Sequence, residues 1–240
     1  MKKILITGAN KGIGFETARQ LLQLGNFVYL GCRDKAKGNE AVATLRAAGL
    51  MNVEAVEIDV TDETSVTKAA EYIAAKTDVL DTLINNAGIR GAIPQIPTSV
   101  GMDVIKAVFE TNLFGTIRTT QAFIELLRKS EQPVVVNVTS DLASLTLHND
   151  PAWRYYPFKG AAYGPSKTAV NAYTVALAFE LKDTAFKVNA VNPGHTATDF
   201  NGYKGTKNVT ESAALLVEYA LLNVDGPTGK YISDDGETPW

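Results

Sequence analysis

The sequence predicts one α/β domain over residues 1–240, a doubly wound, seven-stranded parallel sheet with helices on both faces. Three observations lead there. Short runs rich in Val, Ile and Leu alternate with longer stretches of helical period along the whole chain. Most runs are apolar almost continuously, which suits strands covered on both faces. Helix-length segments separate the strands, so right-handed crossovers between parallel neighbours follow.

In chain order, a strand over Lys3–Thr7 passes through a glycine-rich turn into a helix over Ile13–Leu24. A second strand, Phe27–Cys32, precedes a helix over Lys35–Ala48, and a third, Val53–Ile58, precedes a helix over Glu63–Lys76. The fourth strand, Val79–Asn85, leads to a long helix over Gly101–Lys129; the fifth, Val134–Thr139, leads to a helix over Ala161–Lys182. Lys187–Val191 is the sixth strand, Glu211–Asn223 the last helix and Lys230–Ser233 the seventh strand. The acidic stretch Asp234-Asp235-Gly236-Glu237 reads as a closing turn, which lets the end at Trp240 fold towards a pocket. Three segments break the rhythm: Ile89–Val100, Leu145–Gly160 with its rings Trp153, Tyr155, Tyr156 and Phe158, and His195–Asn208. Each lies past the C-terminal end of a strand, where open α/β sheets bind ligands.

Composition narrows the function. With 240 residues, 45% hydrophobic and 20% charged, the chain buries a core without metals or disulfides. The single cysteine, Cys32, excludes an intrachain disulfide and a Cys-rich zinc site. His148 and His195 are the only histidines and have no carboxylate cluster at ligand spacing, so no metal is expected. A net charge of −3 with scattered Lys and Arg argues against nucleic acid. No apolar run approaches the roughly 20 residues that span a bilayer. Met1-Lys2-Lys3 leads through Ile4-Leu5-Ile6 straight into a glycine turn, a strand start and not a signal peptide. A soluble, cytoplasmic protein with a small-molecule substrate is expected.

The first strand ends in Thr7-Gly8-Ala9-Asn10-Lys11-Gly12-Ile13-Gly14. Glycines between a strand and a helix let backbone approach a pyrophosphate at the helix N-terminus, as in Rossmann-type sheets. The spacing, Gly-x3-Gly-x-Gly, differs from the Gly-x-Gly-x-x-Gly of many dinucleotide sites.

This Thr-Gly-x3-Gly-Ile-Gly resembles the opening motif of the short-chain dehydrogenases/reductases, and further family motifs follow in order. Asp59-Val60 resembles the adenine-binding pair, Asn85-Asn86-Ala87-Gly88 the family motif closing the fourth strand, and Pro193-Gly194 with Thr196 and Thr198 the segment that holds the nicotinamide carboxamide. Asn112, Ser140, Tyr163 and Lys167 match the family's catalytic tetrad. The resemblance covers nearly the whole chain. It implies a nicotinamide cofactor at Gly8, Asn10, Lys11, Gly12, Ile13, Gly14, Asp59, Val60, Asn86, Ala87, Gly88, Tyr163, Lys167, Pro193, Gly194, Thr196 and Thr198.

The family's acidic position at the end of the second strand is Cys32 here, followed by Arg33. An acid there would bind the 2′-hydroxyl of NAD, whereas an Arg accommodates the 2′-phosphate of NADP. Lys11 is placed to reach the same phosphate, and Asp34, as a sequence neighbour, should point elsewhere. The expected cofactor is NADPH/NADP+.

Tyr163 and Lys167, four residues apart, share a helix face, so an ammonium can lower the pKa of the phenol from its usual ~10. Pro165 between them fits only a first turn, where N–H groups lack intrahelical partners. Ser140 would hydrogen-bond a substrate carbonyl, with Thr139 as the competing hydroxyl and Asp141 a capping or solvated residue. By resemblance, Lys167 also binds the nicotinamide ribose, and the backbone of Asn112 holds a water linking Lys167 to solvent. The implied activity is reduction of a ketone or aldehyde, as in the family's NADPH-dependent carbonyl reductases; the aromatic and apolar residues of the irregular loops suggest a bulky, aryl or apolar compound. The competing reading, a non-catalytic NADP-binding redox sensor, would be expected to lack the Tyr or Lys. Ser140 and Tyr163 are 23 positions apart, more than the family commonly shows. If the extra aromatic residues cover the two long helices through which relatives assemble, a monomer is favoured over a dimer or tetramer.

Overall fold

The structure, a computed structural model, describes residues 1–240. Its strands are β1 (Lys3–Ile6), β2 (Phe27–Cys32), β3 (Val53–Glu57), β4 (Thr82–Asn85), β5 (Val134–Val138), β6 (Lys187–Val191), β7 (Tyr231–Ser233) and β8 (Gly236–Glu237). They form one sheet in the order β3-β2-β1-β4-β5-β6-β7-β8, parallel through β7. The seven expected strands are all present. The eighth is a correction: Asp234-Asp235 turns the chain back, Gly236 takes φ +96°, and two residues pair antiparallel with β7. The fourth strand also begins later than expected, because Leu80 N–H donates to the Leu126 carbonyl and the Val79 carbonyl accepts from Thr77 instead of joining the ladder.

The helices are α1 (Gly12–Gln23), α2 (Lys35–Ala47), α3 (Glu63–Ala74), α4 (Met102–Phe109), α5 (Gly115–Leu127), α6 (Leu145–His148), α7 (Tyr163–Glu180) and α8 (Val209–Ala220). Asp34 and Asp62 start α2 and α3 by accepting two backbone N–H groups each, which satisfies donors the helix leaves free. Apolar side chains of α1, α2 and α8 share one core with Val134, Val136 and Val138; those of α3, α5 and α7 share the other with Val135. Successive residues of a buried strand thus serve opposite layers, which is why β5 is apolar throughout. No helix is long and apolar enough to cross a membrane.

The expected long helix over Gly101–Lys129 is α4 and α5 joined by one π turn, Glu110–Phe114, with Asn112 at its centre. Strand order reverses between β1 and β4, so a crevice opens beyond their carboxyl ends, the usual ligand position of such sheets.

Candidate active site

At the crevice floor, Gly8 and Gly12 take φ +63° and +59°, conformations that favour glycine. Asn86 holds this turn against β4: its Nδ2 donates to the carbonyls of Thr7 (2.8 Å) and Gly8 (3.1 Å), while Thr7 Oγ1 accepts from the N–H of Asn86 and Ala87. A Cβ on Gly14 would lie 2.5 Å from Asn86 Nδ2 and 2.9 Å from the Gly8 carbonyl. Gly14→Ala is therefore expected to cost about 1–3 kcal/mol of stability by overpacking and to weaken dinucleotide binding, measured as a lower melting temperature and a raised Kd.

Along the crevice, Asp59 accepts from Thr61 N–H at 2.9 Å, and Val60 packs against Gly115. Arg33 is exposed and makes no ion pair, whereas Asp34 is turned away to cap α2. Lys11 departs from expectation: its ammonium pairs with Asp199 of the segment after β6 and is not directed to Arg33. Thr198 lies over the glycine turn, its Cγ2 3.6 Å from where a Gly12 Cβ would be. Gly194, at φ +78°, donates its N–H to Asn192 Oδ1 at 3.0 Å. Thr196 is buried and bonded to Ser212 at 2.6 Å, so its hydroxyl ties this segment to α8.

Asn112, Ser140, Tyr163 and Lys167 come together past β4 and β5. Lys167 is buried, and its Nζ donates one hydrogen bond, to the Val138 carbonyl at 2.7 Å. Burial lowers its pKa to about 8. Burial pushes the Tyr163 phenol up to about 12; the Ser140 hydroxyl beside it favours the phenolate, and the Asp141 carboxylate disfavours it. Thr139 is not the competing hydroxyl, because its Oγ1 donates to Asn171 at 2.7 Å within the core. Pro165 sits in the first turn of α7, where it displaces no helical bond. Asn112 Nδ2 donates to the Ile89 carbonyl and to Ser166 (both 3.0 Å), its Oδ1 accepts from Ile89 N–H, and Gly88 lies against both Asn112 and Lys167. The wider π turn is a frequent feature of functional sites.

Three contributors have no sequence signal. Gln95 Oε1 accepts the N–H of Tyr163 at 3.0 Å and so caps α7, which lacks a local capping side chain. Tyr231 donates its hydroxyl to the Ser140 carbonyl at 2.6 Å. The Phe200 ring packs on that of Tyr163, with centroids 5.6 Å apart.

In the aromatic segment, Trp153 packs between His148 and Tyr155, and Tyr155 packs on His195. Phe114, beside α5, and Val175 and Phe179 of α7 stay exposed. A polar cavity lies beside the site, with Tyr155 its one hydrophobic wall.

A nicotinamide dinucleotide fits the residues present. The positive-φ glycines offer backbone to a pyrophosphate, and the buried Lys167 ammonium has donors left for ribose hydroxyls. Comparison with known proteins agrees. The chain is 30% identical to (+)-neomenthol dehydrogenase of Capsicum annuum, over 95% of this chain and 94% of that one. The structure of salutaridine reductase from Papaver somniferum superposes with a TM-score of 0.85 at 29% identity, covering 98% of this chain and 100% of that one. NADPH-bound carbonyl reductase from chicken fatty liver matches with a TM-score of 0.85 at 27% identity, over 100% and 99% of the two chains. The family model described as short chain dehydrogenase matches residues 2–208, and this chain belongs to that family.

Proposed function

We propose that this chain is an NADPH-dependent reductase of ketones or aldehydes, with Tyr163 as proton donor. The observation that carries the reading is the convergence of the Tyr163 phenol, the Ser140 hydroxyl and the buried Lys167 ammonium beside a glycine turn suited to a dinucleotide. NADPH, when bound, supplies hydride to the carbonyl carbon. Ser140 orients the carbonyl oxygen by donating a hydrogen bond, its own backbone fixed by Tyr231. Tyr163 delivers the proton to that oxygen, and its raised pKa keeps it protonated for this at neutral pH. Lys167 would hold the ribose hydroxyls with the donors that its bond to the Val138 carbonyl leaves free. Asn112, held in the π turn, would hold through its backbone the water that resupplies the proton by way of Lys167.

Arg33 supports the choice of NADPH. It is an exposed, unpaired guanidinium directly after Cys32, and a planar fork suits a phosphate. Lys11 serves the same phosphate only by leaving Asp199, and an exposed ion pair of that kind holds it by no more than about 1 kcal/mol. Catalytic efficiency is expected to be far higher with NADPH than with NADH. Arg33→Ala should raise the KM for NADPH by about tenfold, a charged hydrogen bond being worth roughly 1.5–3 kcal/mol, and barely change that for NADH. Equal use of both cofactors by the wild-type protein would refute the assignment.

A further inference from the structure

Tyr163 is the first residue of α7, a weak point for a group that must be held in place. The leading N–H groups of a helix have no partner within it, and helix ends fray. Ala162, which precedes it, is buried and offers no side-chain acceptor, so α7 lacks a local cap. Pro165 has no N–H and adds no bond to this turn. The place of the phenol therefore depends on what grips the first turn from outside.

Two side chains do so. Asn112 Nδ2 donates to the Ser166 hydroxyl, which donates to the Tyr163 carbonyl at 2.7 Å. Gln95 grips the turn twice: its Oε1 accepts the Tyr163 N–H and its backbone carbonyl the Ala161 N–H, both at 3.0 Å. It is itself tied down, because its Nε2 donates to the carbonyls of Arg90 (2.7 Å) and Ala92 (3.2 Å). Those two carbonyls select which way the amide faces, with its NH2 towards them and its oxygen towards the helix. Every other side chain from Ala92 to Ser99 is exposed; Gln95 alone turns inward. Ile89, in the same segment, exchanges two bonds with Asn112, so the two grips are joined. A Cβ on Gly160 would come within 3.0 Å of Gln95 Oε1, so glycine there leaves the amide its place.

We propose that Gln95 is a positioning residue for the reduction, holding Tyr163 in line for proton transfer by gripping the start of α7 from the segment after β4. It acts through Tyr163 and takes no part in the proton transfer itself. The inference rests on the reductase reading and adds to it the residue that aims the proton donor. The demand on such a residue is strict, since a misplacement of about 1 Å costs up to about a hundredfold in rate.

The test uses two variants. Gln95→Met matches the side chain in length but neither accepts from Tyr163 nor donates to the segment, and it removes no core packing. It should lower kcat with a responsive ketone by about tenfold to a hundredfold, with the Kd for NADPH within about twofold of wild type. Gly160→Ala leaves Gln95 in the chain but crowds its Oε1, so kcat should fall severalfold, again without loss of NADPH affinity. NMR of protein labelled with carbon-13 at the tyrosine Cζ reads the phenol without turnover. The Tyr163 signal, assigned by its absence in Tyr163→Phe, should shift or broaden in both variants. A displaced signal with no turnover of any carbonyl compound by the wild-type protein keeps the positioning of Tyr163 and overturns the reductase reading. Wild-type turnover with kcat unchanged in either variant, an unmoved Tyr163 signal, or an equal loss of kcat and NADPH affinity overturns the role of Gln95.

Discussion

Tyr163→Phe is expected to lower kcat by about a thousandfold, within the roughly 10²–10⁴ that a positioned general acid supplies, while NADPH binds as before. The substitution removes one oxygen. The ring stays packed on Phe200, the backbone N–H stays on Gln95, and Lys167 keeps its bond to the Val138 carbonyl. Steady-state NADPH oxidation with a responsive ketone measures the first effect, and fluorescence titration with NADPH the second. Residual activity above a few per cent would mean that another group donates the proton.

Lys167→Met should separate function from stability. Turnover and NADPH affinity are both expected to fall, because in the proposed reading the ammonium holds the ribose. The cofactor-free protein, by contrast, should gain stability at neutral pH. Burial holds the folded-state pKa of Lys167 at about 8 against 10.5 for the model side chain, so keeping it charged in the folded protein costs about 3 kcal/mol. That cost is fully present below pH 8 and is relieved as pH rises from about 8 to 10.5, because the folded state there binds fewer protons than the unfolded one. Leaving the Val138 carbonyl without its donor takes back about 1 kcal/mol. The net gain of about 2 kcal/mol should raise the melting temperature by several degrees at neutral pH, at roughly 2–4 °C per kcal/mol for a chain of this size. The advantage over wild type should shrink towards pH 10.5. A variant less stable than wild type at neutral pH would contradict the burial cost.

What could be read from the sequence was whatever is local. Strand and helix periods, the glycine turn and the Tyr163–Lys167 spacing are properties of contiguous residues, and the structure keeps them apart from the late start of β4 and the break in the Gly101–Lys129 helix. Long-range partners carry no such pattern. Gln95 meets Tyr163 across 68 positions, Tyr231 meets Ser140 across 91, and Asp199 draws Lys11 across 188. The π turn escaped for a different reason: one wider turn leaves apolar residues on the same helix face, so Gly101–Lys129 reads as a single helix. The direction in which Trp153 and Tyr155 pack depended on where His148 and His195 lie in space, which ring content alone does not encode. Asn112, Ser140, Tyr163 and Lys167 were proposed from their order along the chain; Ser140 and not Thr139 faces the phenol, since Asn171 holds the Thr139 hydroxyl in the core.

The central claim is that this site passes hydride and proton to a carbonyl. Its most direct measurement follows NADPH consumption and alcohol formation together, with purified wild-type protein and Tyr163→Phe on a panel of ketones and aldehydes. One alcohol formed per NADPH oxidised, with the wild-type protein alone active, is the predicted result. Saturable NADPH binding with no alcohol from any carbonyl compound would contradict it and favour a cofactor-sensing role.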